Sequence, residues 1–204
     1  MSKQVAIMGA GGHARVIASI LRATHAGIYG YFDDSCDYTS EIIQNAPLLG
    51  RFNDIVNFKK SIQSVYLALG DNQTRKKYFY SLIDNGFLLP SLVHPTATVE
   101  SDAIINDAAV ICLGGIIGTE VTIGRGCIIN TGCSLDHESS IGDFVHLAPK
   151  VAVAGRTTIG DFTFVGINTA IADKVTIGRN VMIGAGSVIL RDVPDGAKIV
   201  GVHR

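Results

Sequence analysis

The sequence predicts an α/β domain over residues 1–90, followed over residues 91–204 by a parallel β-helix built from six-residue repeats. Two observations predict this fold class. An aliphatic residue stands at every sixth position from Val93 to Ile189, and the first 24 residues read as a strand, a glycine turn and a helix. A period of six fits neither an α-helix, which repeats every 3.6 residues or so, nor an ordinary strand, which alternates every two. The second part of the chain is therefore predicted to be a stack of short strands.

The repeat contains two ordered columns. In the aliphatic column, Val, Ile or Leu occupies seventeen consecutive positions from Val93 to Ile189. In the small column, four residues further along each repeat, every residue from Ala97 to Val193 is small or β-branched and uncharged, and glycine often follows the aliphatic residue directly. Six residues can form one short strand and one corner, with one large and one small side chain turned inward. Three hexads then close a triangular coil, so that residues three hexads apart stack into a continuous core.

The first predicted strand, over residues 4–8, leads directly into a glycine turn. The turn reads Gly9-Ala10-Gly11-Gly12-His13-Ala14 and precedes a helix predicted over residues 14–24. In this context a GxGxx(G/A) pattern is typical of phosphate binding, because glycine lets the backbone come close and the helix N-terminus favours negative charge. The alternative is that the glycines only make a tight turn.

Two further predicted strands end in polar residues, the strand over residues 27–32 at Asp33-Asp34 and the strand over residues 64–69 at Gly70-Asp71-Asn72. A helix with the basic segment Arg75-Lys76-Lys77 then extends to about residue 85. An acid at the end of the second strand can bond a ribose or sugar hydroxyl. The pattern predicts half of a doubly wound, Rossmann-like sheet. The second half that a dehydrogenase needs is missing, because the hexads begin at Val93, so one nucleotide-linked ligand is favoured over a hydride-transfer cofactor.

Composition argues against several classes of protein. The formal net charge of −1 gives no electrostatic case for a nucleic acid or an anionic membrane as the main partner. Apolar residues are dispersed, without a membrane-spanning run or the pattern of a secretory signal. The four cysteines form no CxxC pair, and Cys127 and Cys133 fall in the inward small column, so packing is expected of them rather than redox chemistry or metal binding. We therefore expect a cytoplasmic protein without a metal.

Several segments occur together and in a fixed order, namely GAGGHA, Phe32-Asp33-Asp34, Ala68-Leu69-Gly70-Asp71-Asn72, and unbroken hexads that contain Asn130-Thr131 and Asp136-His137-Glu138. Over nearly the whole chain this order resembles one family of hexapeptide-repeat acyltransferases, the bacterial nucleotide-amino-sugar N-acetyltransferases and their relatives, the sialic-acid O-acetyltransferases. The resemblance implies a left-handed β-helix, a homotrimer with acetyl-CoA between neighbouring subunits, and a nucleotide sugar held by the N-terminal domain. The implied activity is acetylation of a nucleotide-linked amino sugar, such as a UDP- or GDP-4-amino-4,6-dideoxyhexose.

The same resemblance implies roles for particular residues. His137 corresponds to the catalytic base and Glu138 to the acid that assists it. Five residues are implied at acetyl-CoA. His146 corresponds to a histidine that faces the acetyl group, and Gly155 to a backbone amide near the thioester carbonyl. The other three are Asn130, Ile167 and Ala185. The residues implied at the sugar nucleotide are Gly9, Gly11, Gly12, His13, Asp33, Asp34, Gly70, Asp71 and Asn72. One segment departs from the family, whose usual Gly-x-Pro-Ala-Lys is replaced by Gly201-Val202-His203-Arg204.

The chemistry of acetyl transfer fits these residue types. The reaction needs a neutral amine, a polarised thioester carbonyl and departure of a thiolate. A histidine suits proton removal near neutral pH, and a neighbouring carboxylate can fix its tautomer. Because His137 and His146 are half a coil apart, an intersubunit site is expected. Cys133 is the competing nucleophile, but its inward position would bury the thiol, so direct attack in a ternary complex is favoured.

Three other functions are alternatives to this one. The same machinery could acetylate a sialic-acid-type hydroxyl. A zinc-dependent carbonic anhydrase shares this kind of β-helix and needs three histidine ligands, whereas the central coils hold only His137 and His146. A non-catalytic sugar-binding protein would leave the Asp136-His137-Glu138 segment without a role.

Overall fold

The computed structural model describes residues 4–35, 42–43 and 45–204. The chain divides into two compact units, Met1–Leu92 and Val93–Arg204. They are called the N-terminal and the C-terminal unit below, and each is described by itself. The assignment of the nucleotide sugar to the N-terminal unit and of acetyl-CoA to the C-terminal unit stays a prediction.

The N-terminal unit is built on a mainly parallel sheet. Its elements in chain order are β1 (Gln4–Met8), α1 (Gly12–Ala23), β2 (Gly27–Phe32), β3 (Ile42–Ile43), β4 (Ala46–Gly50), a 3₁₀-helix (Phe52–Phe58), β5 (Ser64–Leu67) and α2 (Asn72–Asp84). Strand β1 pairs in parallel with both β2 and β5, β2 pairs in parallel with β4, and β3 pairs antiparallel with β4. β1 and β2 have their predicted bounds, while β3, β4 and the 3₁₀-helix were not predicted.

The core of this unit lies on β1 and α1. Ala6, Ile7 and Met8 are almost completely buried, as expected for the central strand of a parallel sheet. In α1 the buried residues recur every three or four positions and so form one face, comprising Ala14, Ile17, Ala18, Ile20 and Leu21. Burial of each large aliphatic side chain stabilises the fold by roughly 1.5–3 kcal/mol. Because this burial holds both β1 and α1 in the core, it also fixes the turn that joins them.

The C-terminal unit is a triangular β-helix of two-residue strands. Their bounds are β6 (Leu92–Val93), β7 (Thr98–Val99), β8 (Ile104–Ile105), β9 (Val110–Ile111), β10 (Ile116–Ile117), β11 (Thr122–Ile123), β12 (Ile128–Ile129), β13 (Ser134–Leu135), β14 (Ser140–Ile141), β15 (His146–Leu147), β16 (Ala152–Val153), β17 (Thr158–Ile159), β18 (Phe164–Val165), β19 (Ala170–Ile171), β20 (Thr176–Ile177), β21 (Met182–Ile183), β22 (Val188–Ile189), β23 (Lys198–Ile199) and β24 (Val202–His203). They form three sheets, which we name by their strands. Face A holds β6, β9, β12, β15, β18, β21 and β23, face B holds β7, β10, β13, β16, β19, β22 and β24, and face C holds β8, β11, β14, β17 and β20.

The strands stack three hexads apart, as the sequence predicts. On face B, Ile117 pairs with Leu135 and Leu135 pairs with Val153, both in parallel register. All seventeen aliphatic positions are the second residue of their strand. From Ala109 onwards the small column is also buried, and several of its hydroxyls bond to carbonyls of the next coil. Ser139 Oγ donates to the Ala154 carbonyl and Thr157 Oγ1 to the Ala172 carbonyl, each at 3.1 Å, so these polar groups are satisfied inside the core.

The corners of the β-helix have a left-handed backbone at every sixth residue, from Ala108 (φ 56°) to Gly186 (φ 66°). Most of these residues are not glycine, although the left-handed region is unfavourable for other side chains. The ladder between coils holds them in place, as where the Glu138 amide donates to the Thr119 carbonyl at 3.0 Å. Glycine is required elsewhere, because a β-carbon on Gly124 would lie 2.5 Å from the backbone of Gly142 in the next coil.

Candidate active site

The side chain of His137 lies at the corner that follows β13, where the chain passes from face B to face C. Its Nδ1 lies 2.8 Å from Glu138 Oε2, and its own amide donates to Asp136 Oδ1 at 2.8 Å. The left-handed backbone of Glu138 (φ 58°) belongs to the repeating corner, so the carboxylate is presented to the imidazole by the fold itself. Both side chains are open to solvent, His137 at 40% and Glu138 at 49%.

The hydrogen bond to Glu138 determines the tautomer of the neutral imidazole. An ionised carboxylate can only accept, so the proton of a neutral His137 is on Nδ1 and the lone pair is on Nε2. Within the part of the chain that the structure describes, Nε2 has no hydrogen-bond partner. This is the arrangement of a general base whose orientation is fixed by a carboxylate.

Gly155 lies at the same corner one coil further along, after β16. At several equivalent corners the amide is bonded to an aspartate, as for Arg125 with Asp143 and Arg179 with Asp195. The amide of Gly155 makes no such bond to any described residue. Gly155 is buried, and an amide without a hydrogen-bond partner beside a candidate base can donate to an oxyanion.

A groove of about 410 Å³ runs along face B beside this corner. Its floor is formed by small side chains of three successive coils, Ser134, Ala152 and Ala170, and it ends at Asp136 and Ala154, which directly precede His137 and Gly155. The groove is mainly apolar and open, so it suits an extended, weakly polar chain better than a charged group.

The other residues predicted at acetyl-CoA lie around face A. His146 is in β15, where its ring packs edge-on against Phe164 with the centroids 5.2 Å apart. Asn130 Oδ1 accepts the Thr131 amide at 2.8 Å, which directs its Nδ2 towards His146 Nε2 at 3.5 Å. Ile167 and Ala185 are exposed at the corner between faces A and B, on adjacent coils. The structure therefore brings together His137, Glu138 and Gly155, and separately the four residues around face A.

In the N-terminal unit, the three predicted ligand-binding segments meet at one edge of the sheet. Because β1 pairs in parallel with β2 and β5, the segments after these strands lie side by side. The Gly9 amide (φ 112°) donates to the Phe32 carbonyl at 2.7 Å, and a β-carbon on Gly9 would lie 2.7 Å from the Ala68 carbonyl. Gly11 is the N-cap of α1, and Gly12 and His13 begin that helix. We call this edge, with its segments 9–13, 33–34 and 70–72, the crevice.

The two acids that follow β2, Asp33 and Asp34, bond to the protein itself. Asp33 Oδ2 accepts the Ala10 amide at 2.6 Å, and its Oδ1 accepts the Ser35 amide and hydroxyl. Asp34 Oδ1 accepts the Phe52 amide at 2.9 Å, and its Oδ2 accepts the Tyr78 hydroxyl at 3.1 Å. Burial first, and then this bond to Asp34, raise the pKa of Tyr78. The two carboxylates therefore hold the glycine turn and the neighbouring segments in place, whatever else they bind.

Arg75 is a residue of the crevice that the sequence did not reveal. The residue is only 1% exposed, and its guanidinium bonds to the segment before α2. It donates to the carbonyls of Leu69 (2.8 Å) and Gly70 (3.1 Å) and to Asn72 Oδ1 (2.7 Å). In the sequence Arg75 is one of three consecutive basic residues, and the burial distinguishes it from its neighbours. Arg75 thus sets the shape of the segment that carries Gly70 and Asn72.

Asp71 caps the helix that follows this segment. Its Oδ1 accepts the amide of Thr74 at 2.8 Å and the hydroxyl of Thr74 at 2.6 Å. The Thr74 hydroxyl first, and then the Thr74 amide, hold the pKa of the Asp71 carboxyl below its ordinary value. Such an N-cap fixes the start of α2 and with it the place of Asn72.

The cysteines of the β-helix are buried and form no disulfide with one another. Burial raises the pKa of Cys133 to about 11 and that of Cys112 to about 12. Cys133 is thus held as an unreactive thiol, which argues against the nucleophilic alternative. Cys36 lies outside the described residues.

The described residues contain neither a cluster of metal ligands nor a membrane-spanning helix. Within those residues, no three His, Cys, Asp or Glu side chains are grouped so that they could hold a metal ion. No helix of the same residues combines the length and the hydropathy needed to cross a bilayer.

Two family models match the chain. Residues 4–82 match the PglD N-terminal domain, and residues 156–191 match the bacterial transferase hexapeptide family of six repeats. A curated relative, the uncharacterized protein L142 of Acanthamoeba polyphaga mimivirus, is 30% identical over 146 residues, which are 71% of this chain and 24% of the viral protein. The chain thus spans about a quarter of that relative's length.

Solved structures match over nearly the full length. The acetyltransferase domain of PglB from Neisseria gonorrhoeae FA1090 is 30% identical with a TM-score of 0.92, and 98% of this chain and 97% of that chain are covered. One structure of that domain contains acetyl coenzyme A. PerB from Caulobacter crescentus, in complex with CoA and GDP-perosamine, is 31% identical with a TM-score of 0.93, and 97% of this chain and 94% of that chain are covered.

Proposed function

The chain belongs to the family of hexapeptide-repeat nucleotide-sugar acetyltransferases with a PglD N-terminal domain, and from this premise we propose that it transfers an acetyl group from acetyl-CoA to the amine of a nucleotide-linked amino sugar. The observation that carries the proposal is the likeness, over nearly the whole chain, to structures containing acetyl coenzyme A or CoA with GDP-perosamine. Family membership confirms the resemblance drawn from the motifs, and with it the left-handed β-helix.

In this proposal His137 is the general base. The amine nitrogen attacks the thioester carbonyl carbon, the carbon–sulfur bond breaks, and CoA leaves as the thiolate. The proton released by the amine goes to Nε2 of His137, which then returns it to the thiolate. The support is the hydrogen bond of 2.8 Å between Nδ1 and Glu138, which leaves the lone pair on Nε2. Glu138 keeps the tautomer and stabilises the imidazolium that forms.

Gly155 supplies the proposed oxyanion donor. Charge develops on the thioester oxygen as the amine attacks, and a fixed amide that needs no reorganisation stabilises it. The amide of Gly155 has no partner among the described residues, unlike the aspartate-bonded amides of equivalent corners. The groove on face B is the proposed course of the pantetheine arm, because it is apolar, extended and ends beside Gly155.

The crevice of the N-terminal unit is the proposed site of the nucleotide sugar. The three glycines of the turn are proposed contacts: Gly11 and Gly12 are exposed and leave its backbone accessible, and the buried Gly9 lets it turn close to Ala68. Helix α1 begins there with an N-cap that has no side-chain hydrogen bond. A helix start of this kind favours a phosphate group. The other proposed contacts are His13, Asp33, Asp34, Gly70, Asp71 and Asn72.

We also propose a homotrimer with one active site at each subunit boundary. The support is that the residues predicted at acetyl-CoA divide between the His137 corner and face A, so that one chain carries two halves of a site. A cyclic arrangement would join the His137 corner of one subunit to face A of the next. Mixed trimers of His137→Ala and His146→Ala chains should then regain activity that neither variant has alone, and a fully active monomer in light scattering would contradict the proposal.

The test of the function is a direct assay. The protein is incubated with acetyl-CoA and a panel of UDP- and GDP-linked 4-amino-4,6-dideoxyhexoses, with free sialic acid and the corresponding 4-hydroxy nucleotide sugars as controls. Release of the CoA thiol together with a mass gain of one acetyl group on an amino sugar is expected. Release only with the hydroxyl acceptors would replace N-acetylation by O-acetylation, and no release with any acceptor would refute the proposal.

A further inference from the structure

His137 occupies the space where a side chain at position 155 would begin. A β-carbon built on Gly155 would lie 2.6 Å from both Cε1 and Nε2 of the His137 ring, and 3.0 Å from its Cδ2. Contacts below about 3 Å between such atoms are strongly repulsive, so ring and side chain cannot share this space. The nitrogen concerned is Nε2, which carries the lone pair.

The backbone gives no reason for glycine at position 155. The φ angle of Gly155 lies outside the left-handed region, so a residue with a side chain can adopt this conformation. The equivalent corner positions of the preceding and following coils are Thr119, His137 and Asp173, all with side chains. The repeating fold thus accepts side chains at this corner, and the imidazole of the previous coil is what a side chain at position 155 would displace.

Two contacts on opposite edges of the ring therefore define its place. Nδ1 is held by Glu138 at 2.8 Å, while the edge with Cε1 and Nε2 rests where the β-carbon of residue 155 would be. One hydrogen bond alone leaves the ring free to swing about its side-chain torsions. The second contact removes much of that freedom by packing, without adding a polar group that would compete for the lone pair.

We infer that Gly155 is a positioning residue for His137, in addition to any role of its amide: the missing β-carbon fixes where Nε2 lies. This inference rests on the proposed function of His137 as the base. It makes the identity of residue 155 a determinant of the rate, because misplacing a catalytic group by about 1 Å can cost on the order of 100-fold.

The test uses the substitution Gly155→Ala, which keeps the backbone amide and adds one methyl group. We expect kcat to fall roughly 10- to 100-fold, with the KM for acetyl-CoA and the melting temperature close to those of the wild type. The matched control is Asp173→Ala at the same corner of the next coil, which does not touch the imidazole and should leave kcat unchanged. In the unliganded protein, the ¹⁵N spectrum of His137 should change from a single Nδ1–H tautomer to a mixture in Gly155→Ala.

A double-substitution cycle separates positioning from an oxyanion or steric effect. If Gly155 acts through the imidazole, adding Gly155→Ala to His137→Ala should cause no further loss of kcat. The inference would be overturned if Gly155→Ala lowered kcat by the same factor in the His137→Ala background as in the wild type. An unchanged ¹⁵N spectrum of His137 in Gly155→Ala would overturn it as well. If His137→Ala alone keeps normal activity, the proposed base has failed, while the ¹⁵N spectrum still decides whether Gly155 positions the ring.

Discussion

The polar groups of the crevice and those of the His137 corner differ in how they are used. In the crevice, Asp33 and Asp34 are both bonded to amides or hydroxyls of the protein. At the corner, Nε2 of His137 and the amide of Gly155 have no partner within the described ranges. The difference teaches that polar residues at a predicted site can serve either to build it or to react in it. We therefore expect substitutions in the crevice to change KM and stability, and substitutions at the corner to change kcat.

The largest effect in the crevice is expected at Arg75. In Arg75→Met the carbonyls of Leu69 and Gly70 and the side chain of Asn72 lose a charged donor, and hydrogen bonds to charged groups contribute about 1.5–3 kcal/mol. The KM for the nucleotide sugar should rise roughly 10- to 100-fold, the ratio that corresponds to this energy, while the KM for acetyl-CoA stays constant. Steady-state kinetics with each substrate varied in turn measures both values.

Lys76→Met is the matched control for Arg75, since it removes a cation from the next position of α2. It should leave both KM values unchanged. An equal rise of the nucleotide-sugar KM in Arg75→Met and Lys76→Met would mean that general charge, and not the shape of the segment, matters. The comparison between crevice and corner would then lose its structural basis.

A smaller effect is expected for Asp34. The substitution Asp34→Ala removes the acceptor of the Phe52 amide and of the Tyr78 hydroxyl. The free energy of unfolding of the protein should fall by about 1–2 kcal/mol, and the KM for the nucleotide sugar should rise, because the loops of the crevice lose a shared anchor. Urea unfolding and kinetics check both, with Asp84→Ala as an exposed carboxylate control. Loss of affinity without any loss of stability would assign Asp34 to the ligand alone.

The smallest effect concerns the buried thiols and the pH dependence of stability. Burial raises the pKa of Cys133 from 9.0 to about 11, so the folded protein keeps this proton at a pH where the unfolded chain loses it. Stability from the neutral thiol is complete below pH 9 or so and declines as the pH rises towards the folded value. Cys133→Val should therefore lose less unfolding free energy than the wild type between pH values of about 8 and 10.5. If the unfolding free energy of Cys133→Val and of the wild type fell by the same amount over this pH range, groups other than Cys133 would account for the whole decline in stability.

The sequence allowed the β-helix to be predicted in detail because its repeat is a local signal. Each aliphatic residue from Val93 to Ile189 is the second residue of a strand, and position along the hexad determines which side chains are buried. The left-handed backbone of the corners could not be predicted from the residue types, because residues such as Phe144 and Lys150 occupy these positions as well as glycine. There the ladder between coils, and not the local preference, decides the backbone.

The N-terminal unit and the site were predicted only in part, because they depend on single contacts between distant residues. The burial of Arg75 cannot be read from a run of three basic residues. The bonds of Asp34 to Phe52 and Tyr78 join segments 18 and 44 positions apart. The contact of His137 with Gly155 follows from the stacking of coils, so it could have been anticipated from the hexads once both residues were assigned to one corner.

The measurement that tests the central claim most directly is the rate of acetyl transfer by His137→Ala, with Glu138→Ala as the milder companion. We expect kcat to fall roughly 10²–10⁴-fold in His137→Ala, the range for lost proton transfer, and less in Glu138→Ala. Both KM values should stay near those of the wild type, and the acidic limb of the wild-type pH profile should be absent from His137→Ala. A near-normal kcat of His137→Ala across pH values of about 6 to 9 would contradict the account, because the base would then lie elsewhere.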